Sequence, residues 1–164
     1  LWVNLPAKVK MSPPKYQAIT NNEMGKYQLP DGAGVIEIIA GNYHDVKGPA
    51  FTFTPVTLMN ARLETGGKAA FSFPANYNTC ALVIEGSIIV NGTEKAGSDH
   101  FVLFRNDGDD FTIDASENAI VLIMSGEPID EPIAAHGPFV MNTQTEIMQA
   151  YADLNRGRFG FLED

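Results

Sequence analysis

From Gly34 to Met124 the chain is a series of short β-rich runs broken by turn residues, and no segment of helical length and period interrupts them. Val35-Ile36-Glu37-Ile38-Ile39 stops just before Gly41. Leu58 to Glu64 alternates, with Met59, Ala61 and Leu63 on one side and Asn60, Arg62 and Glu64 on the other. That two-residue period belongs to a half-buried strand. Ala81 to Ile84 and Ser87 to Val90 flank Glu85-Gly86, and Asn91-Gly92 follows at once. Asn-Gly after a β-rich run is a strong hairpin signal, because a type I′ turn needs positive φ at both central residues. Phe101 to Phe104, Phe111 to Asp114 and Ala119 to Met124 complete the set. Strands this short and this closely spaced argue for a sandwich or closed barrel. The absence of intervening helical patterns argues against a parallel α/β sheet.

The flanks read differently. Residues 1–30 carry Pro6, Pro13, Pro14 and Pro30 and no stable period. Proline fixes φ and removes a donor, so this segment reads as an extended arm rather than a packed element. Its apolar Leu1, Trp2 and Val3 need a partner surface. Residues 31–128 are assigned to the barrel and 129–164 to a tail with a helix near 143–155. Thr143 and Glu146 form a capping box for that helix. Ile147, Ala150, Tyr151 and Leu154 then make an apolar stripe, and Arg156-Gly157 ends it. Phe159 to Asp164 read as a loosely held tail.

Twenty acidic residues against 11 basic ones give the 164-residue chain a net charge of −9. Such a surface repels a phosphate backbone on average, so direct nucleic-acid binding is not expected. No apolar run reaches the roughly 20 residues that span a bilayer. Leu1-Trp2-Val3 is too short for a signal peptide and has no basic region before it, so the start reads as cut or truncated. The single cysteine, Cys80, leaves no internal disulfide and suits a reducing compartment, here the cytoplasm.

Chemistry-bearing residues are sparse. Cys80 sits in an apolar run and reads as a buried packing residue. With no histidine near it in sequence and no Gly-x-Ser-x-Gly elsewhere, a nucleophilic triad has no support. His44, His100 and His136 lie far apart, and no pair has His-x-His spacing. His44 reads as a solvated loop residue, His100 as a strand-edge residue, and His136 as fixing the approach to the helix. Asn106 to Asp110 lacks the spaced oxygens and distal glutamate of a calcium loop and reads as a turn. The glycine pairs lack the spacing and following helix of a phosphate loop. Two readings of the barrel interior stay open. One is a small-ligand pocket at the mouth, bordered by Tyr77, Asn78, Cys80, Glu85 and His100. The other is a barrel filled by Phe71, Phe73, Leu82, Ile84 and Phe101.

Gly126-Glu127-Pro128, Glu131-Pro132 and the run from His136 to Thr143 resemble the signature near the C terminus of pirin-family proteins. Leu1 to Lys8 is similar to a second family motif, at the junction of the two pirin domains, and Lys47-Gly48-Pro49 with Thr54-Pro55 fits the same pattern. The resemblance covers essentially the whole chain. It implies an all-β fold, a cupin-type β-barrel (double-stranded β-helix or jelly roll) with an extended N-terminal arm and a C-terminal helix. It also implies that the chain is the C-terminal half of a bicupin. In such a protein the N-terminal cupin holds iron or another divalent metal through three histidines and a glutamate, and the C-terminal cupin holds none. The family is associated with quercetin 2,3-dioxygenase activity and, in animals, with nuclear co-regulation of transcription. Cupin metal sites set paired imidazoles on alternate strand positions. Between Gly67 and Gly86 this chain instead has alanines and phenylalanines, with Glu85 alone of ligand type. No catalytic, cofactor or metal residue is therefore carried over, and no cofactor is expected here. The expected role is structural, with the protein's own N-terminal cupin half or a second copy of the chain as partner. The alternatives are a quercetinase-type oxidoreductase in the intact protein, or a stand-alone cupin binding a small molecule.

Overall fold

The alternation seen in the sequence becomes two antiparallel sheets. The structure, a computed structural model, describes residues 1–160. The larger sheet is ordered β1 (Gly25–Gln28), β2 (Gly34–Ala40), β5 (Val56–Leu63), β12 (Ala119–Gly126), β7 (Asn78–Glu85), β10 (Phe101–Leu103). The smaller is ordered β6 (Lys68–Ser72), β11 (Asp110–Ala115), β8 (Ser87–Val90), β9 (Glu94–Gly97). A short ribbon, β3 (Asn42–Tyr43) with β4 (Val46–Lys47), follows β2. From β5 onward the chain passes repeatedly between the sheets, the jelly-roll path of a cupin barrel.

One cluster fills the space between the sheets. Ile36, Ile38, Met59, Val83, Val121 and Ile123 from the larger sheet meet Ile88 and Ile113 from the smaller, all fully buried. Each such side chain contributes roughly 1.5–3 kcal/mol relative to exposure. Met59, Ala61 and Leu63 are buried while Arg62 is exposed, as the alternation of β5 predicts. At Asn91-Gly92 both φ angles are positive, 50° and 72°, and the Thr93 amide donates to the Val90 carbonyl at 3.1 Å. The hairpin β8–β9 turns there, and Asn91 Oδ1 also accepts from the Thr112 amide.

The segment read as an arm contains a strand. β1 pairs with β2 from Gly25↔Ile38 to Gln28↔Val35. The Leu29 amide donates to the Gly34 carbonyl at 2.9 Å, and Asp31 and Gly32 take positive φ in the connecting turn. Lys26, Tyr27 and Gln28 offer one apolar residue among polar ones, so the period-2 signal is too weak to register. The preceding residues are tied down by side chains. Gln17 Nε2 donates to the Phe51 carbonyl and the Phe51 amide donates back to Gln17 Oε1, a side-chain imitation of a β-bridge. Asn21 Nδ2 donates to Glu37 Oε1 at 3.3 Å, and Arg62 Nε to Glu37 Oε2 at 2.9 Å. Burial pulls the Glu37 carboxyl upward, but the bonds from Arg62 and Asn21 and the Arg62 charge outweigh it, and the net displacement is downward.

Residues Leu1–Pro14 and Ile129–Asp164 form a compact unit separate from Lys15–Pro128. It holds a single helical turn, α1 (Ala7–Lys10), the hairpin β13 (Ala134–His136)–β14 (Phe139–Met141), and α2 (Gln144–Asn155). The expected capping box is present: Glu146 N donates to Thr143 Oγ1, and the Thr143 amide to Glu146 Oε2. Of the expected stripe Ile147 and Ala150 are buried and Tyr151 is half-buried, but Leu154, in the last turn, is exposed. Glu131 Oε2 accepts from the Ala7 amide at 2.7 Å and from Asn142 Nδ2 at 3.0 Å, so the N-terminal motif is hydrogen-bonded to the C-terminal one. The tail reading for Phe159 to Asp164 lies, from Phe161 onward, outside the described residues.

Two outcomes are expected. Gly86 has φ 77°, and a Cβ there would stand 2.2 Å from the Asn118 carbonyl oxygen. Gly86→Ala should therefore cost at least about 2 kcal/mol, read from urea midpoints. Glu37 concerns acid stability. Its folded carboxyl holds its charge to lower pH than the ordinary value of 4.5, so between the two the unfolded chain binds more protons. The stabilisation is present above about pH 4.5 and is lost as pH falls through the folded value. Glu37→Gln should flatten that acid limb in melts taken across pH 3–6.

Candidate functional site

At one end of the sandwich the end of β6, the start of β7, the end of β10 and the start of β11 surround a cavity of about 470 Å³. Phe73, Tyr77, Phe104 and Phe111 line it, with Thr79 and Val102 between them and Arg105, Asp107, Asp109 and Asp110 at its edge. Two further clefts, of about 420 and 590 Å³, share Phe73 with it.

The aromatic lining follows from register. Phe71 on β6 lies opposite Phe111 on β11, and both point inward. Their rings stack at 5.1 Å between centroids, while Phe104 reaches Phe111 at 4.2 Å and Phe73 reaches it at 6.1 Å. Ring pairs in this range add to plain burial. Thr79 and Ser125 are also direct cross-strand partners, both buried, with Oγ1 and Oγ 2.8 Å apart.

The donor set does not fit a transition metal. The inward positions of β6, β7, β11 and β12 are Ala69, Phe71, Thr79, Ala81, Val83, Phe111, Ile113, Ala115, Ala119, Val121, Ile123 and Ser125. None bears an imidazole, thiol or carboxylate, the ligands such an ion takes. Among the described residues no three of His, Cys, Asp and Glu gather in a metal-binding cluster.

The five residues read as a mouth pocket do not converge. Tyr77 lines the cavity, and Asn78 begins β7 beside it, its Oδ1 accepting from Asn106 Nδ2. Glu85 ends the same strand, about 23 Å further along at the usual rise per residue. His100 belongs with that far end: its carbonyl accepts from the Val83 amide, and its Nδ1 lies 3.1 Å from the Ser98 carbonyl. Cys80 is not a buried packing residue. It is half-buried and faces away from the core, between Leu103 and Met124 on the neighbouring strands. The filled-barrel list needs the same correction: Phe71 is in the core, but Ile84 and Phe101 are exposed and Leu82 points outward with them. β7 is apolar on both faces, so its period carries no phase.

The histidines are packing or turn residues. His44 is exposed, as a loop residue should be, and stacks on Tyr27 at 4.7 Å. His136 lies edge-on to Tyr151, whose hydroxyl reaches the His136 carbonyl at 3.5 Å. Asn106 to Asp110 is a turn, with the Asn106 side chain on the Asn76 carbonyl. This turn is also an edge of the cavity, and its one signal in the sequence is its position directly after a strand that ends at the mouth.

A model of the pirin C-terminal cupin domain matches residues 58–160. A solved quercetin 2,3-dioxygenase from Acinetobacter baumannii superposes with a TM-score of 0.93 at 39% identity, covering 99% of this chain and 56% of that one. A Pseudomonas aeruginosa protein provisionally named as a quercetin 2,3-dioxygenase is 38% identical over 97% of this chain and 55% of its own length. Pirin of Homo sapiens is 32% identical over 98% of this chain and 56% of its own length. The chain thus spans little more than half the length of these relatives.

Burial pushes the Cys80 thiol up, so it stays protonated at neutral pH and is a poor nucleophile. Alkylation of Cys80 should be slower than that of a free thiol at pH 7.5, followed by intact mass. Because the side chain is only half-buried, Cys80→Ser should cost less than about 1 kcal/mol in denaturant melts.

Proposed function

The chain belongs to the pirin family, as its C-terminal cupin domain, and from this we propose that it is a metal-free cupin with a structural and interaction role, whose partner is a metal-binding N-terminal cupin half. One observation carries the reading. The outward positions of β7, β12 and β10 are apolar: Cys80, Leu82 and Ile84; Ile120, Leu122 and Met124; Phe101 and Leu103. They are contiguous by register, Phe101 beside Leu82 beside Leu122, and Leu103 beside Cys80 beside Met124. A sheet facing water alternates apolar inward and polar outward. β5 does so with Asn60 and Arg62, but β7 and β12 do not. Phe101 is 60% exposed, Leu103 72% and Ile84 43%. A contiguous apolar patch on a sheet face marks an interaction surface. The part of the relatives that this chain does not span is the partner we assign to it.

The relatives named as quercetin 2,3-dioxygenases favour a second reading at the level of the longer protein: an oxidoreductase whose metal, iron or another divalent ion, lies in the preceding half. The interior donors of this chain do not fit that role, so here the two readings are compatible. Among the described residues no helix is long and apolar enough to cross a membrane. The lone protonated cysteine suits the cytoplasm, the compartment we assign.

The N-terminal half of the Acinetobacter relative, supplied separately, should bind this chain. Replacing the exposed pair Phe101→Asp and Leu103→Asp should weaken that binding by about tenfold or more while leaving the thermal melt intact. Residues 1–164 alone should turn over no quercetin. About one iron per chain in residues 1–164, or unchanged association of the double variant, would overturn the reading.

A further inference from the structure

We infer that the cavity at the mouth of the sandwich is a binding site for a small aromatic ammonium compound carrying an oxygen on its ring. The site borders the apolar outer sheet face, sharing Leu103 with it, but takes its rings and charges from other residues. Three observations define the ligand. First, the cavity of about 470 Å³ falls in the size range of small-molecule pockets and lies at a barrel mouth, where such pockets occur. Its walls are ring faces and edges, Phe73, Phe104 and Phe111 with Tyr77, and these favour a flat ring.

Second, the charge at the edge is one-sided. Glu94, Asp107, Asp109 and Asp110 face one guanidinium, Arg105, and none of the five enters an ion pair among the described residues. With a chain charge of −9, the edge attracts a cation and repels a carboxylate or phenolate. Aromatic walls beneath it suit the same cation.

Third, the hydroxyl pair on the wall is half-spent. Thr79 and Ser125 bring two hydroxyl hydrogens, share one hydrogen bond, and have no other side-chain partner among the described residues. Both are buried, and Thr79 lines the cavity. Whichever hydroxyl donates within the pair, Thr79 Oγ1 on the cavity wall keeps hydrogen-bonding capacity to be met, its own hydrogen in one case and a lone pair in the other. An oxygen on the ligand ring meets that need, with the ammonium towards the carboxylates.

The probes are tyramine, phenethylamine, which lacks the ring hydroxyl, and 4-hydroxyphenylacetate, which replaces the ammonium by a carboxylate. Each is titrated into the full ¹⁵N-labelled chain at low salt, with amide shifts as the readout. Tyramine should shift the amides of Tyr77, Phe104 and Asp110 saturably and bind about tenfold tighter than 4-hydroxyphenylacetate. Adding about 1 M salt should erode that preference. Asp107→Asn with Asp110→Asn should abolish it, and Thr79→Val should abolish the advantage of tyramine over phenethylamine, with thermal melts checking that each variant folds. Absence of saturable shifts, shifts confined to other residues, equal binding of the carboxylate, or preferences unchanged in folded variants would each overturn the proposal.

Discussion

The whole barrel depends on how β12 is paired. It lies between β5 and β7 and forms ladders with both along its length. Its inward residues Val121 and Ile123 are core, and Ser125 supplies half of the hydroxyl pair at the mouth. Its outward residues Ile120, Leu122 and Met124 make the middle of the apolar patch. A slip of one residue would exchange the two sets. The register is pinned at one end by a bulge: Ile120 pairs with Glu85 but Val121 with Val83, leaving Ile84 as the extra residue. Gly86, just past the bulge, approaches the Asn118–Ala119 backbone closely enough that any side chain would collide. Core, mouth and outer face are thus one register decision.

The interior is held together at the mouth end by aromatic packing. Phe71 and Phe111 occupy cross-strand positions between the sheets, with Phe73 and Phe104 packed around them. Ring burial and ring–ring contact give that end cohesion that needs neither a charge nor a proton. The rings stop short of filling the mouth, where a cavity of about 470 Å³ remains. Polar residues of the turns that follow β6 and β10 border its apolar floor, the arrangement from which small-molecule sites are made.

Local signals were legible in the sequence and non-local ones were not. The alternation of β5, the Asn91-Gly92 turn and the Thr143–Glu146 box each depend on residues a few positions apart, and each stands in the structure as read. β7 misled because Thr79 to Ile84 is apolar or small at every position, so nothing marks which side faces the core. Cys80, Leu82 and Ile84 were accordingly assigned to the wrong face. The mouth was out of reach for another reason. Its residues come from the Phe73–Thr79, Val90–Glu94 and Val102–Phe111 segments, which only the strand order brings together. β1 was missed because one tyrosine between two polar residues carries no measurable period.

The two motifs that gave the family away have a physical account, and it is architectural. They stand at opposite ends of the sequence, yet the first and, from Glu131 onward, the second belong to one compact unit. Glu131 accepts from the Ala7 amide, at the start of the α1 turn, and from Asn142. Asn142 also donates from Nδ2 to the Pro132 carbonyl and from its amide to Glu146. Glu146, held below the ordinary carboxylate range first by the Asn142 amide, closes the cap of α2 with Thr143. Every polar side chain in this relay answers a backbone group or another member. Gly137 takes φ 55° in the β13–β14 turn, where a Cβ would meet the Tyr151 hydroxyl at 2.4 Å. Demands of this kind, a carboxylate for two donors and a glycine for a crowded turn, preserve wording without requiring chemistry. The signature therefore lies largely in the terminal unit, while the mouth and the outer face of the large sheet are built from residues outside it.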